Sequence, residues 1–209
     1  MQQLYTRSCL ATLLVILSLA LAACARAAPV TPRQLDAPIN TIELADLPQG
    51  LGRGYPLALL DGIDNSAAGI EPGDTAPDFQ MVLDDERALT LSNLAGRPVL
   101  INFWATWCAP CRLEMPELIR KAQTNDELII LAVNVMEERA PVEAFVDDFQ
   151  MPMPVIMDAD GDLRDVYLVR NMPTSVFIDR SGKVAAVWKG LLTADLLDQM
   201  LEQIVSRSQ

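Results

Sequence analysis

The chain has 209 residues, with 28 Asp and Glu against 16 Lys and Arg, and its formal net charge at pH 7 is −12. A protein this acidic repels a phosphate backbone, which excludes non-specific binding of nucleic acid. The sequence contains no His. That absence excludes Ser–His and Cys–His catalytic pairs and the many metal sites that depend on imidazole ligands.

Residues 1–23 are predicted to form a signal peptide of the lipoprotein type. A single Arg lies in residues 1–7, and the apolar run of residues 9–25 that follows ends in small residues. This pattern is typical of export signals. The Leu-Ala-Ala-Cys at residues 21–24 resembles the lipobox of bacterial lipoproteins, which implies that Cys24 becomes the lipidated N-terminus. Two acyl chains are enough to anchor a protein stably to a membrane.

Two other interpretations of the N-terminus remain open. Cleavage after the Ala-Arg-Ala at residues 25–27 would release a soluble protein, and an uncleaved apolar run would act as a membrane anchor. All three interpretations export the rest of the chain. The predicted localisation is therefore extracytoplasmic, at the membrane of a bacterial cell envelope.

Residues 24–69 are predicted to be a flexible tether. The segment is rich in Ala, Pro and Gly and shows no sustained helical or strand period, although residues 41–44 could add a short strand. Residues 70–209 then form the predicted globular domain. It opens with a β-hairpin over residues 79–83 and 88–91, followed by a buried strand over residues 99–104.

Two cysteines, Cys108 and Cys111, follow this buried strand at the start of a helical pattern. Unpaired backbone N–H groups and the positive end of the helix dipole stabilise a thiolate at such a position. Two intervening residues put the second cysteine one turn into the helix, close enough for a small disulfide. The spacing therefore suits dithiol–disulfide exchange, in which Cys108 attacks and Cys111 resolves the mixed disulfide.

Two other interpretations of this motif are weaker. Half of a zinc site needs two more ligands, but the chain has no His, and its only other cysteines, Cys9 and Cys24, lie in the N-terminal apolar segment. We therefore predict no metal site. A structural disulfide without turnover is the better alternative, because exported proteins carry many such bonds.

The rest of the domain alternates between strand and helix patterns. The acidic segment at residues 158–162 has its Gly at the wrong position for a calcium loop and is predicted to be a solvated turn. The predicted fold is α/β, a mixed sheet with helices on both faces. Strands are predicted at residues 128–135, 155–156, 174–179 and 184–189, and helices at residues 140–146, 163–167 and 194–205.

Residues 99–116, which run Val-Leu-Ile-Asn-Phe-Trp-Ala-Thr-Trp-Cys-Ala-Pro-Cys-Arg-Leu-Glu-Met-Pro, resemble the active-site segment of thioredoxin-fold proteins. More narrowly, they resemble the TlpA/ResA-like membrane-tethered thiol–disulfide oxidoreductases. Residues 71–79 are similar to the first segment of the peroxiredoxin and TlpA-like branches, the AhpC/TSA-redoxin group. The resemblance implies a thioredoxin fold with an N-terminal β-hairpin extension.

The resemblance also implies roles for several residues outside the dithiol. Met172-Pro173 matches the cis-proline loop of thioredoxin folds, so the Met172 backbone is expected to pair with an extended substrate. Trp107 is expected to provide a contact surface beside Cys108. For Arg112, a solvated charge on the helix surface is the simpler interpretation.

Glu114 lies three residues after Cys111 and shares its helix. In the ResA-like branch a Glu at this offset is associated with tuning the cysteines, and a carboxylate there could accept the Cys111 proton. A solvent-facing acid is the alternative. Thioredoxins themselves have a buried Asp at the position of Asn102. Because Asn does not titrate, this departure places more of the proton transfer on Glu114.

The predicted function is reduction of disulfides in envelope proteins, with no cofactor beyond the redox-active pair Cys108–Cys111. The family resemblance suggests apocytochrome c as a substrate and a transmembrane thiol carrier as the electron donor. A peroxidase of the peroxiredoxin type is an alternative, but Ile101 and Ala105 stand where the activating Pro and Thr or Ser belong. A non-catalytic binding module with a structural disulfide is a third possibility.

Overall fold

The computed structural model describes residues 40–41 and 54–206. The predicted signal peptide, Cys24 and most of the predicted tether lie outside the described residues. No helix in the described part of the chain is both long enough and apolar enough to span a lipid bilayer.

The described residues contain the strands β1 (Asn40–Thr41), β2 (Leu57–Leu59), β3 (Gln80–Val82), β4 (Arg87–Thr90), β5 (Val99–Trp104), β6 (Ile129–Val135), β7 (Val155–Asp158), β8 (Thr174–Ile178) and β9 (Val184–Lys189). These strands form one mixed sheet in the order β1-β4-β3-β2-β7-β6-β5-β8-β9. The helices are α1 (Ala109–Thr124), α2 (Arg139–Phe149), α3 (Asp162–Val166) and α4 (Ala194–Ser206), with a short 3-10 helix at Leu91–Leu94.

Strand β5 lies at the centre of the domain, and every one of its residues is buried. It pairs in parallel with β6 and antiparallel with β8. A run of β-branched, aliphatic and aromatic residues suits a strand covered on both faces. Its carboxyl end leads directly into the loop that carries Cys108.

Helices cover both faces of the sheet. Helices α1, α2 and α4 pack on one face through apolar side chains that include Met115, Phe145 and Leu197. On the other face, α3 and the 3-10 helix pack against apolar side chains of the sheet in a cluster that contains Phe79 and Tyr167. The β3–β4 hairpin is antiparallel. The predicted mixed α/β sheet with an N-terminal hairpin extension is therefore confirmed.

The predicted tether is wrong for residues 54–69. Strand β2 pairs antiparallel with β3 and in parallel with β7, and Tyr55 is buried in the core. Backbone hydrogen bonds hold β2 in the sheet. Because nearly every residue type carries the same backbone donor and acceptor, the amino-acid composition does not predict this pairing. Strand β1 also pairs with β4, at the start of the segment where a short strand was considered.

The predicted solvated turn at residues 158–162 is exposed at residues 159, 160 and 162 but is corrected at Asp158. Asp158 is buried, and its carboxylate accepts hydrogen bonds from the backbone N–H groups of Leu163 (3.0 Å) and Arg164 (2.9 Å). These N–H groups lie in the first turn of α3, where no carbonyl of the helix can reach them. Asp158 therefore ends β7 and caps α3, and burial raises the pKa of its carboxyl group.

Candidate active site

Cys108 and Cys111 form a disulfide at the N-terminus of α1, with 5.3 Å between their Cα atoms. Cys108 is the N-cap residue, and its sulfur accepts a hydrogen bond of 3.3 Å from the Cys111 backbone N–H. Pro110 fits the first turn because that position needs no N–H donor. An N–H group aimed at the Cys108 sulfur is the arrangement that stabilises a thiolate.

Both cysteines are buried, and they differ slightly in exposure. Cys108 is 4% exposed and Cys111 is 0% exposed. A substrate disulfide can therefore approach Cys108, whereas Cys111 is reached only from within the protein. This asymmetry matches the predicted roles of attacking and resolving cysteine.

Glu114 points into the protein, so the alternative of a solvent-facing acid is wrong. Its side chain is 1% exposed. Oε1 accepts a hydrogen bond of 2.8 Å from the Asn102 side-chain amide, and Oε2 accepts one of 2.7 Å from the Leu192 backbone N–H. Burial raises the pKa of Glu114 to about 7, against the opposing effect of these two donors. A carboxyl group with that pKa exchanges its proton near neutral pH.

The cis-proline loop lies beside the dithiol. The Met172–Pro173 peptide bond is cis. Met172 is half-buried and packs against the same apolar cluster that contains Cys108 and Cys111. The Pro173 carbonyl accepts a hydrogen bond of 2.8 Å from the Gly190 N–H, which fixes the loop to the end of β9. Within the described ranges, no hydrogen bond occupies the Met172 backbone, so it is available to an added strand.

Two large apolar side chains near the dithiol are exposed. Trp107 is 70% exposed and Leu113 is 71% exposed. Trp107, as predicted, lies next to Cys108 and forms part of the surface around it. Exposed aromatic surface of this kind is typical of a binding site for a polypeptide.

Residues 72–187, more than half of the chain, match the sequence model of the AhpC/TSA family. The chain belongs to the AhpC/TSA family. Over 138 residues it is 36% identical to the thiol-disulfide oxidoreductase ResA of Oceanobacillus iheyensis, and the alignment covers 63% of this chain and 72% of ResA.

Solved structures agree with this assignment. A thiol:disulfide interchange protein of the thioredoxin family from Chlorobium tepidum has a TM-score of 0.56 and 27% identity, over 66% of this chain and 99% of that one. The exposed lipoprotein thioredoxin of Streptococcus pneumoniae has a TM-score of 0.54 and 28% identity, over 60% of this chain and 98% of that one. This AhpC/TSA family member is therefore a thiol–disulfide oxidoreductase with a thioredoxin fold.

Sequence reasoning missed a part-buried carboxylate near the dithiol of this AhpC/TSA family member. Glu137 accepts hydrogen bonds from the Thr106 backbone N–H (2.7 Å), the Thr106 hydroxyl (2.5 Å) and the Asn134 side-chain amide (2.7 Å). These bonds tie the residue before Trp107 to the end of β6. The position of Glu137 just after a parallel strand was an available signal, since side chains at strand carboxyl ends gather at one edge of the sheet.

Two further residues were missed or misread. Ser175 accepts a hydrogen bond of 3.0 Å from Asn102, in the register that the β5–β8 pairing sets. Arg112 is exposed, as predicted, but its guanidinium also lies over the rings of Phe145 and Phe149 at 5.0 and 5.1 Å. It therefore helps to dock α1 on α2 through cation–π contact.

Proposed function

We propose that this protein is an exported, membrane-tethered enzyme that reduces disulfides in other proteins of the cell envelope. One observation carries the proposal. Cys108 has an accessible edge at a helix N-terminus, and the fully buried Cys111 shares that helix with the buried carboxyl group of Glu114. This arrangement suits a cycle of capture and release rather than a disulfide that only braces the fold.

The cycle starts from the reduced dithiol. The Cys108 thiolate attacks one sulfur of the substrate disulfide, a bond forms between them, and the other substrate sulfur leaves as a thiolate. The Cys111 thiolate then attacks the Cys108 sulfur. The Cys108–Cys111 disulfide forms, the second substrate sulfur is released, and two electrons have passed to the substrate.

Glu114 is the proposed acceptor of the Cys111 proton. Cys111 must lose that proton before it attacks, and bulk water does not reach it. Glu114 lies one helical turn further along α1, at the spacing that brings side chains together on one face. Its pKa of about 7 allows it to take up the proton and to pass it on at neutral pH.

Trp107, Met172 and Pro173 are the proposed substrate contacts. The exposed Trp107 ring offers apolar surface, and the Met172 backbone offers the hydrogen bonds of an added strand. A substrate held in this way would present its disulfide to Cys108. No cofactor is required, because the enzyme dithiol itself carries the two electrons.

The proposed location is the outer face of a membrane, with lipid on Cys24 as the anchor. The lipobox-like sequence at residues 21–24 supports the anchor, and one structural neighbour is itself named an exposed lipoprotein thioredoxin. The proposed electron donor is a transmembrane thiol carrier, since an oxidising compartment supplies no reductant. Apocytochrome c is the proposed substrate, from the resemblance to the ResA-like branch.

A trapping experiment tests the capture step. The full chain with Cys111→Ser, expressed in a bacterium with an envelope, should accumulate mixed disulfides through Cys108, including one with apocytochrome c. Cys108→Ser is the matched control and should trap nothing. If neither variant gives adducts that are sensitive to reductant, the protein is a binding module and the proposal fails. Mass spectrometry of the mature N-terminus in the same cells tests lipidation of Cys24.

A redox titration against glutathione or dithiothreitol tests the direction of electron flow. A midpoint near or below about −270 mV is expected for a reductant. A midpoint near about −120 mV would identify an oxidant instead. Consumption of hydrogen peroxide by the reduced protein, faster than by Cys108→Ser, would point to the peroxidase alternative.

A further inference from the structure

A groove of about 480 Å³ opens beside the dithiol, between the end of β6 and the segment that leads to the cis-proline loop. Its lining includes Trp107, the neighbour of Cys108, together with Met172 of the cis-proline loop and Met136. Met136 is 54% exposed. The groove is therefore continuous with the surface on which the proposed substrate lies.

Specific contacts hold the Met136 side chain in the lining of the groove. The Met136 sulfur accepts a hydrogen bond of 3.1 Å from Arg164 Nη1. A Cβ atom at Gly161 would lie 2.9 Å from that sulfur, so only Gly fits there without displacing Met136. Arg164 also forms an ion pair with Asp165 (2.7 Å). The side chain that contacts the Met136 sulfur is therefore itself held in position.

The groove is basic, although the protein as a whole has a net charge of −12. Arg164 and Arg170 line it, and none of its described lining residues is Asp or Glu. Arg164 is neutralised by Asp165. Arg170 is exposed, lies two residues before Met172, and has no ion pair within the described part of the chain. Its positive charge is therefore free for a ligand.

We propose that this groove selects polypeptide segments in which a disulfide is flanked by an apolar side chain and a carboxylate. The apolar side chain would lie on Trp107 and Met136, and the carboxylate would meet Arg170. This inference rests on the proposed function, because the segment must reach Cys108 with its disulfide intact. The electrons come from the enzyme dithiol, which is reduced beforehand by dithiothreitol.

The test compares three peptides, each with one internal disulfide, that differ only in the residue beside the cysteine: Glu, Gln or Lys. The pre-reduced full-length protein should reduce the Glu peptide about three- to fivefold faster than the Gln peptide, with the Lys peptide slowest. The preference should shrink at about 1 M salt, where charges are screened beyond about 3 Å.

Arg170→Gln should remove most of the preference for Glu over Lys. Arg120→Gln is the matched control: it makes the same charge change at the exposed Glu117 pair on α1, about 18 Å along the helix from Cys108, and should keep the preference. Equal rates for all three peptides, or the same loss in both variants, would overturn the inference about the groove. Failure to reduce any peptide would instead overturn the proposed function.

Discussion

The Asn102 side-chain amide donates a 2.8 Å hydrogen bond to Glu114 Oε1 in a site where both side chains are buried. The bond joins the central strand β5 to the helix that carries the dithiol. Asn102 is a neutral donor, so it stabilises the Glu114 carboxylate without adding a charge. Burial has the larger effect, and the pKa of Glu114 stays near 7.

Glu114→Gln should change how stability depends on pH. The pKa of Glu114 is about 7 in the folded protein against 4.5 for the ordinary group, so the folded state binds more protons between these values. Stability from this group is therefore present below about pH 4.5 and is lost as pH rises through about 7. Relative to wild type, the free energy of unfolding of the Gln variant should rise by about 2–3 kcal/mol between pH 5 and pH 8. Chemical denaturation of the oxidised proteins at both pH values measures this difference.

The same substitution should slow disulfide reduction. Loss of the proton acceptor is expected to cost about tenfold or more in turnover and to remove an inflection near pH 7 from the pH–rate profile. Glu117→Gln, a change at a partly exposed side chain that pairs with Arg120 on the same helix, is the matched control and should retain both rate and inflection. A Gln variant at residue 114 with an unchanged profile would exclude Glu114 from proton transfer.

Asn102→Asp should make the site strongly dependent on pH. The new carboxyl group would lie within hydrogen-bond distance of Glu114, and two buried carboxylates at that separation resist ionising together. At about pH 5, where the pair shares a proton, we expect a free energy of unfolding close to that of wild type. Between about pH 5 and pH 8 that free energy should fall by roughly 2–3 kcal/mol more in the variant than in wild type. Thermal melts across this range provide the measurement, and a constant difference from wild type would contradict the prediction.

The fold was predictable because its signals are local and periodic. The apolar run of β5, the cysteine spacing at the start of α1 and the proline at residue 173 each lie within a short stretch of sequence. Residues 54–69 were misassigned because they continue a longer segment, from residue 25, whose Ala-, Pro- and Gly-rich composition is typical of a linker. Strand β2 is held in the sheet by backbone pairing with β3 and β7. No pattern of side chains in the sequence predicts this pairing.

The site was only partly predictable because its contacts are distant in sequence. The spacing of Glu114 from Cys111 put it in the right neighbourhood, but its orientation depends on the Leu192 N–H, 78 residues away. A backbone N–H donor cannot be recognised from the type of residue that carries it. Glu137 escaped notice for a similar reason, since its partner Thr106 lies 31 residues earlier.

Reduced Cys108 should be alkylated well before reduced Cys111. Cys108 has an exposed edge and an N–H donor at its sulfur, whereas Cys111 is fully buried. At neutral pH we expect iodoacetamide to alkylate Cys108 about tenfold faster than Cys111, or more. Timed quenching and peptide mass spectrometry measure both rates in the same sample. Equal rates, both typical of free cysteine, would remove the asymmetry on which the proposed cycle depends.

Glu137→Gln should loosen the loop that presents Trp107. The Gln amide has one acceptor oxygen, so it cannot receive all three hydrogen bonds that Thr106 and Asn134 donate to the carboxylate. A loss of about 1–3 kcal/mol in the free energy of unfolding is expected from a donor left without its partner. Trp107 fluorescence should become more accessible to acrylamide, and peptide reduction should slow.

Glu138→Gln is the matched control for this change. Glu138 is the exposed neighbour that begins α2 without a side-chain cap hydrogen bond, so its substitution should leave stability and quenching as in wild type. A structural role alone would lower stability and leave the reduction rate of the folded protein unchanged. A fall in that rate at temperatures where the variant is fully folded would show that Glu137 positions the loop beside Cys108 for reaction.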